Sequence, residues 1–525
     1  MKTLRELWHG LWPAILVAAV GPLVIAERSL GESAPEDLLL LLCVLTVAAG
    51  VIVLVVQLLL PRLERSRRVA VGLVIVAALT LPVLLASELA QVLPLALVPR
   101  LRTTLGVTLL LSVTSVFWVF RSRAGVARTV TVAIIACGTV DGISVARIAR
   151  AEIEVRRALA TSPTARALRA WDADSAVRSF RTDARPDVFL FVMDGYAGDS
   201  LLLAEYGVDH RALRDSLSVL GFNTPGRYTS NYARTFASMS SILNFAHVAS
   251  VESEALGRLQ HAGGLQALIT ENRTFRLFAA AGYAVHWFPA PLFGGYRLPP
   301  LGAQVHRATR SWVRRRVLYS VLLSTWIERV WVPGVVAAAL HLRPDVASAH
   351  FAGFDALREL AHDGVPSFAV VHLFSTHEPL LYDSACVGGR DVVSRVGERE
   401  AYAIAVRCQD AVLLQLFRRL IAANANGLVI AAIGDHAPSS LQFVEVDVAA
   451  ERVPTAIAAT RFDAGAFFYL SGGGRSKFRV PTSGVNVVPE LLRAVFDAEP
   501  VLEPDTRFYS QPRPHPIHRF VPLDP

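Results

Sequence analysis

Two apolar runs in this chain stop abruptly on acids. FLFVMDGYAG (Phe189 to Gly198) ends on Asp194, and LVIAAIGDHA (Leu428 to Ala437) ends on the pair Asp435 and His436. A third run, FAVVHLF, leads into STHEP with His377. Carboxylates at the ends of core strands are costly to desolvate unless something positive stands among them. A divalent cation is the usual solution, and two carboxylates with one imidazole suit Zn²⁺, Mn²⁺ or Mg²⁺. Each stretch alone has a plainer explanation, because a strand-terminal Asp is also a common N-cap or turn residue. Their shared placement after strands is what points to a site.

A nucleophile is offered by TSNYARTFASMSSILNF (Thr229 to Phe245), where a polar stretch runs into a helical pattern with Thr235 at the expected N-cap. A hydroxyl there feels the positive end of the helix, and coordination to a cation would lower its pKa enough for attack on phosphorus. Alone, Thr235 reads equally as an ordinary capping threonine.

The elements that must position these residues alternate. Apolar, β-rich runs at Val188 to Met193, Ala284 to Phe288, Phe368 to Phe374, Leu428 to Ile433 and Ala466 to Leu470 are separated by helical patterns. The clearest of those patterns are His210 to Leu220, Thr274 to Ala281, Cys408 to Ala423 and Val487 to Phe496. Strands apolar throughout and interleaved with helices predict an α/β domain with a mostly parallel sheet sandwiched by helices. Ligands of such sheets bind beyond the carboxyl ends of the strands, where Asp194, His377, Asp435 and His436 would gather.

The 525 residues are 53% hydrophobic, too apolar for a wholly soluble chain of this length, and the excess lies in the first 150 or so. Five segments stand out there: Leu11 to Ala26, Leu38 to Leu60, Val69 to Ser87, Thr103 to Phe120 and Thr129 to Ala146. Each is expected to span a bilayer as a helix, although Asp141 marks the fifth. No cleavage context follows the first run, so it reads as a retained span. Arg62, Arg65, Arg67 and Arg68 in one loop and Arg121, Arg123 and Arg128 in another are basic, whereas Glu27, Glu32, Glu36 and Asp37 make the first loop acidic. By the positive-inside rule the N-terminus is cytoplasmic, so five spans put the rest outside the cytoplasmic membrane. Arg100 and Arg102 fall against this assignment. The expected organisation is a transmembrane region over 1–148, an amphipathic linker on the membrane surface over 149–185 and a catalytic domain over 186–525.

The formal charge of +8 comes almost wholly from scattered Arg, with Lys only at Lys2 and Lys477, and no basic stretch is interleaved with aromatics. Nucleic acid is therefore not an expected partner. Of four cysteines, Cys43 and Cys137 lie in expected spans. Cys386 and Cys408 flank a loop and are either a disulfide closing it or two unrelated buried thiols.

Taken in order, PDVFLFVMDGYAGDSLL, SNYARTFASMSSILN, HLFSTHEPLLYD and IAAIGDHAP resemble the sulfatase-like hydrolases and transferases of the alkaline phosphatase superfamily. They look most like its membrane-anchored phosphotransferases, the lipoteichoic acid synthases and phosphoethanolamine transferases. The resemblance covers residues 186 to about 500. It implies that Asp194, Asp435 and His436 hold a metal ion, that Thr235 is both nucleophile and metal contact, and that His377 binds substrate. Ala437 stands where the family usually has Gly, which leaves the local turn open. No Cys or Ser lies in the C/S-x-P-x-R context of a sulfatase, so sulfate-ester hydrolysis is not expected. After His436 only His515 and His518 remain, so a single metal is expected.

The implied activity is transfer of a phospho-head group from a membrane phospholipid donor to an envelope glycan or lipid by double displacement at Thr235. Alternatives are a hydrolase with water as acceptor, a non-catalytic relative that binds a glycan or partner, and a transporter suggested only by the apolar N-terminal third.

Overall fold

The structure, a computed structural model, describes residues 12–20, 23, 35–64, 67–76, 126–180, 185–249, 263–289, 300–306, 357, 360, 364–377, 380, 382–387, 393–424, 427–438, 460–509 and 520–523. The chain divides into two compact units, the first reaching to Ile153 and the second beginning at Glu154.

The first unit is helical where described. Residues 12–20 and 67–76 are helical, as are α1 (Pro35–Leu59) and α2 (Val126–Thr161). Ala14, Val17 and Ala18 pack with Ala49, Val53, Leu73 and Val76. Val51, Leu58 and Leu59 of α1 and Val132 and Ile135 of α2 are instead exposed. Among the described residues no helix is long and apolar enough to cross a membrane. The expected span Thr103 to Phe120 lies outside the described residues, and those at Leu11 to Ala26 and Val69 to Ser87 lie partly outside them. Helix α2 runs unbroken for 36 residues, because no Gly or Pro follows Gly142 until Pro163. Already in the second unit, Ser162 caps α3 (Pro163–Arg169), accepting from the Ala165 N–H at 3.0 Å, and Asp172 caps α4 (Ala173–Val177).

The second unit is built on a six-stranded sheet in the order β3-β2-β4-β1-β5-β6: β1 (Asp187–Met193), β2 (Ala284–Phe288), β3 (Gln304–Val305), β4 (Ser367–Leu373), β5 (Leu428–Gly434) and β6 (Ala466–Leu470). All neighbours are parallel except β6, which runs antiparallel to β5. Every residue of β1, β4 and β5 is buried, the mark of a sheet covered on both faces.

Alternation along β1 assigns the two faces. Val188, Leu190 and Val192 join a core with α7 (Thr235–Asn244), α8 (Gly263–Thr270), α9 (Arg273–Ala280) and α11 (Val487–Phe496). Phe189, Phe191 and Met193 join the opposite core with α5 (Asp199–Tyr206), α6 (Arg211–Val219) and α10 (Glu398–Ala423). Phe278 stacks on Phe368 at 4.0 Å on one side, and Phe191 meets Phe417 edge-on at 5.5 Å on the other. Each large apolar side chain so buried contributes about 1.5–3 kcal/mol before the entropy of ordering it. Cys386 and Cys408 are joined by a disulfide.

Register sets the site. Met193 of β1 pairs with Leu373 of β4 and with Gly434 of β5, so the three strands end flush. The residues just past those ends, Asp194 and Asp435, are thus neighbours in space though 241 positions apart in sequence. Gly434 permits the close approach: a Cβ there would fall 2.4 Å from the Tyr196 carbonyl oxygen.

Candidate metal and nucleophile site

Asp194 and Asp435 are fully buried. Backbone bonds hold both ends in place: Asp194 N–H donates to the Leu373 carbonyl at 2.8 Å, and Thr376 Oγ1 donates to the Asp194 carbonyl at 2.6 Å. Ser238 Oγ, on the first turns of α7, donates to the Asp435 carbonyl at 2.7 Å. Gly195 has φ +70, a left-handed conformation that glycine adopts without strain. Its N–H donates to Asp435 Oδ1 at 3.1 Å, and Tyr402 of α10 donates to its carbonyl at 2.7 Å.

Thr235 is the first residue of α7, and Arg234 occupies the N-cap, which corrects the expected capping position by one residue. The Thr235 side chain therefore does not cap its helix. Its Oγ1 lies 3.2 Å from Asp194 Oδ2 and 3.1 Å from His436 Nε2. His436 Nδ1 bonds the Ala437 carbonyl at 2.8 Å, which makes Nδ1 the protonated nitrogen and leaves the Nε2 lone pair facing the acids. Burial pushes the His436 ring down to about 4, so it is neutral, as a ligand must be. Ala437 has no left-handed φ, and its N–H donates to the Arg461 carbonyl at 3.2 Å, so the turn after the Asp-His pair needs no glycine.

The acids are electrostatically unequal. Burial works to raise both. At Asp194 that effect is overcome chiefly by His377 and by the hydrogen bond from His372, which hold the carboxyl below the usual range. At Asp435 burial and the neighbouring Asp194 charge together push it up to about 8. Two buried carboxylates this close cannot both be charged without a cation.

The atoms left over fit such a cation. Asp194 Oδ1 and Asp435 Oδ2 are buried without any hydrogen-bond partner. His436 Nε2 lies 3.4 Å from the first and 3.6 Å from the second. Ligand pairs around a tetrahedral ion at about 2.1 Å stand about 3.4 Å apart, which the distances from His436 Nε2 to these two oxygens match. His515 and His518 lie outside the described residues.

His377 is the member of this group that reaches the surface. Its side chain is 29% exposed, its ring stacks on Phe374 at 4.4 Å, and its Nε2 stands 4.0 Å from Asp194 Oδ1.

Two residues escaped the sequence reading. His372, inside β4, places Nε2 3.1 Å from Asp194 Oδ2, and Asp194, His372 and Asp435 each bring a ligand atom within 4.8 Å of the others. Its only signal was a histidine in an otherwise apolar run, one residue before the strand ends. Arg461 donates to the Ala233 carbonyl at 2.8 Å and the Ala437 carbonyl at 3.4 Å, tying the approach to Thr235 to the exit from His436. An arginine at the end of a helical turn carries no sequence signal of that role.

No protein-family model and no curated protein matches the chain. Among solved structures, the chain is similar to the integral membrane protein lipooligosaccharide phosphoethanolamine transferase A (EptA) from Neisseria meningitidis, at 13% identity and TM-score 0.40, covering 93% of this chain and 95% of that one. It is also similar to the C-terminal periplasmic domain of EptC from Escherichia coli in complex with Zn, at 14% identity and TM-score 0.41, over 66% of this chain and 95% of that one. A third likeness is to the lipoteichoic acid synthase LtaP from Listeria monocytogenes, at 9% identity and TM-score 0.36, over 64% and 83%. These are proteins of the kinds that the sequence motifs resemble.

Proposed function

We propose that this protein is a membrane-anchored phosphotransferase of the sulfatase-like, alkaline phosphatase type. It moves a phospho-head group from a lipid donor to an envelope glycan or lipid through a covalent intermediate on Thr235. The observation that carries this reading is the Thr235 hydroxyl, set against Asp194 Oδ2 and His436 Nε2 where two partnerless carboxylate oxygens converge.

A divalent cation held by Asp194, Asp435, His436 and Thr235 would lower the pKa of the hydroxyl and offset charge on the phosphoryl oxygens. Thr235 Oγ1 then forms a bond to phosphorus as the bond from phosphorus to the diacylglycerol oxygen breaks. The hydroxyl proton passes to Asp194 Oδ2 and on from there to the leaving diacylglycerol alkoxide, which departs as the alcohol. In the second half the acceptor hydroxyl attacks phosphothreonine, loses its proton and restores the Thr235 hydroxyl. His377, at the exposed mouth, positions the donor head group or the acceptor.

A catalytic domain over 186–525 acting outside the cytoplasmic membrane agrees with the Cys386–Cys408 disulfide, a bond kept in oxidising compartments. Exposed Val51, Leu58 and Leu59 on α1 and Val132 and Ile135 on α2 agree with a lipid-facing surface in the N-terminal unit. The test is incubation of the purified protein with radiolabelled phospholipid and Mn²⁺. Label on the protein and released diacylglycerol, both absent from Thr235→Ala, are expected; neither product from any common phospholipid would contradict the proposal.

A further inference from the structure

Between the end of β1 at Met193 and the start of α5 at Asp199, the chain passes through Gly195, Tyr196 and Ala197. Gly195 is the sensitive point of this turn. Its N–H donates to Asp435 Oδ1 at 3.1 Å, while Asp435 Oδ2 is the oxygen left without a partner. A glycine takes up φ +70 as readily as many other values, so the residue does not by itself fix where that N–H points. Something outside the turn must hold it.

Tyr402 of α10 meets that need. Its hydroxyl donates to the Gly195 carbonyl at 2.7 Å and accepts from the Ala197 N–H at 3.0 Å, so a single oxygen closes the turn on both sides of Tyr196. Packing fixes the Tyr402 ring, which is 1% exposed and lies against Tyr206 with ring centres 4.3 Å apart. Further along the same helix Asp410 Oδ1 accepts from the Tyr196 hydroxyl at 2.5 Å. Residues eight apart share one face of a helix, so α10 grips the turn by its backbone and by its side chain. The neighbouring Gln409 bonds Ser375, next to Thr376, whose hydroxyl donates to the Asp194 carbonyl. A helix that supplies none of the candidate ligand atoms thus braces both loops around Asp194.

We infer that Tyr402 is a positioning residue of the cation site: through Gly195 it determines which oxygen of Asp435 is free for the ion. This role rests on the assignment of Asp194, Asp435 and His436 to a cation proposed above. Gly195 and Ala197 are buried, so removing the hydroxyl strands a carbonyl and an N–H away from water, a cost the chain escapes only by repacking the turn. Glycine permits that repacking, and the Gly195 N–H then leaves Asp435 Oδ1.

The experiment is calorimetric titration of Mn²⁺ into the full chain stripped of metal by chelator, comparing the intact protein with Tyr402→Phe and Leu420→Ala. Leu420 is fully buried on the same helix, about five turns beyond Tyr402, and its truncation reports what loss of packing alone does. Tyr402→Phe is expected to raise the dissociation constant at least about 10-fold, and Leu420→Ala to keep the intact value. Hydrogen exchange of the metal-free proteins gives a readout independent of the ion, with protection expected to fall across Gly195 to Ala197 in Tyr402→Phe. Intact affinity in Tyr402→Phe, a loss equalled by Leu420→Ala, or unchanged protection of the turn overturns the inference. No Mn²⁺ binding by the intact chain overturns the cation assignment, and this role with it.

Discussion

His372 and Thr235 meet on one oxygen of Asp194. Nε2 of His372 lies 3.1 Å from Oδ2 and Oγ1 of Thr235 lies 3.2 Å from the same atom, which turns Oδ1 toward His436 with no hydrogen bond of its own. A carboxylate held this way would offer one oxygen to the Thr235 hydroxyl and the other to a cation. We therefore expect His372→Ala to weaken Zn²⁺ or Mn²⁺ binding by about 10- to 100-fold, the usual effect of losing the group that orients a ligand. Calorimetry on the purified variant checks this, and an unchanged affinity would deny His372 that role.

Cation binding is expected to stabilise the fold, because it relieves two buried acids that repel. At 100 times the dissociation constant a ligand specific to the folded state adds about 2.7 kcal/mol. Thermal melting with and without Mn²⁺ should show a metal-dependent rise in the intact protein and none in Asp435→Asn.

A separate polar cluster sets a pH dependence. His210 is buried between Asp199, 2.9 Å from Nδ1, and Asp410, 3.1 Å from Nε2. Burial lowers its pKa, but the hydrogen bond to Asp199 and the nearby Asp410 carboxylate outweigh that and raise it from 6.5 to about 9. A histidine whose folded pKa is raised contributes stability that is fully present below its unfolded pKa, about 6.5, and is lost as pH climbs through about 9. The contribution is on the order of 3 kcal/mol. Urea unfolding of metal-free protein from pH 6 to 9.5 should show this decline, and His210→Gln should be weaker at pH 6 and flatter above it.

The disulfide between Cys386 and Cys408 spans 22 positions and ties the segment after the His377 turn to α10. Closing a loop of that size is worth about 3 kcal/mol in the unfolded state. Reduction, or paired substitution by Ser, should lower the unfolding free energy by that order, read from denaturant midpoints.

What the sequence disclosed follows from how strongly each signal was buried. β1, β4 and β5 read clearly because they are apolar on both faces, and their flush ends explain why Asp194 and Asp435 could be paired without coordinates. β3, two residues long, is too short to show any periodicity. The start of α10 at Glu398 was missed because EREAYAIAV alternates charge and small residues without a clean apolar stripe, so the pattern emerged only near Cys408. Thr235 sits one position inside its helix because its hydroxyl serves Asp194 and His436 instead of a backbone N–H. His372 and Arg461 act through contacts with segments far off in the chain, which no local pattern encodes.

Thr235 is proposed to carry the transferred group. Mass spectrometry of peptides from protein quenched in acid during turnover of a phospholipid tests it most directly. A phospho-head-group adduct on Thr235 is expected, absent when Asp435→Asn replaces the intact chain. An adduct on another residue, or diacylglycerol released at the intact rate by Thr235→Ala, would contradict it.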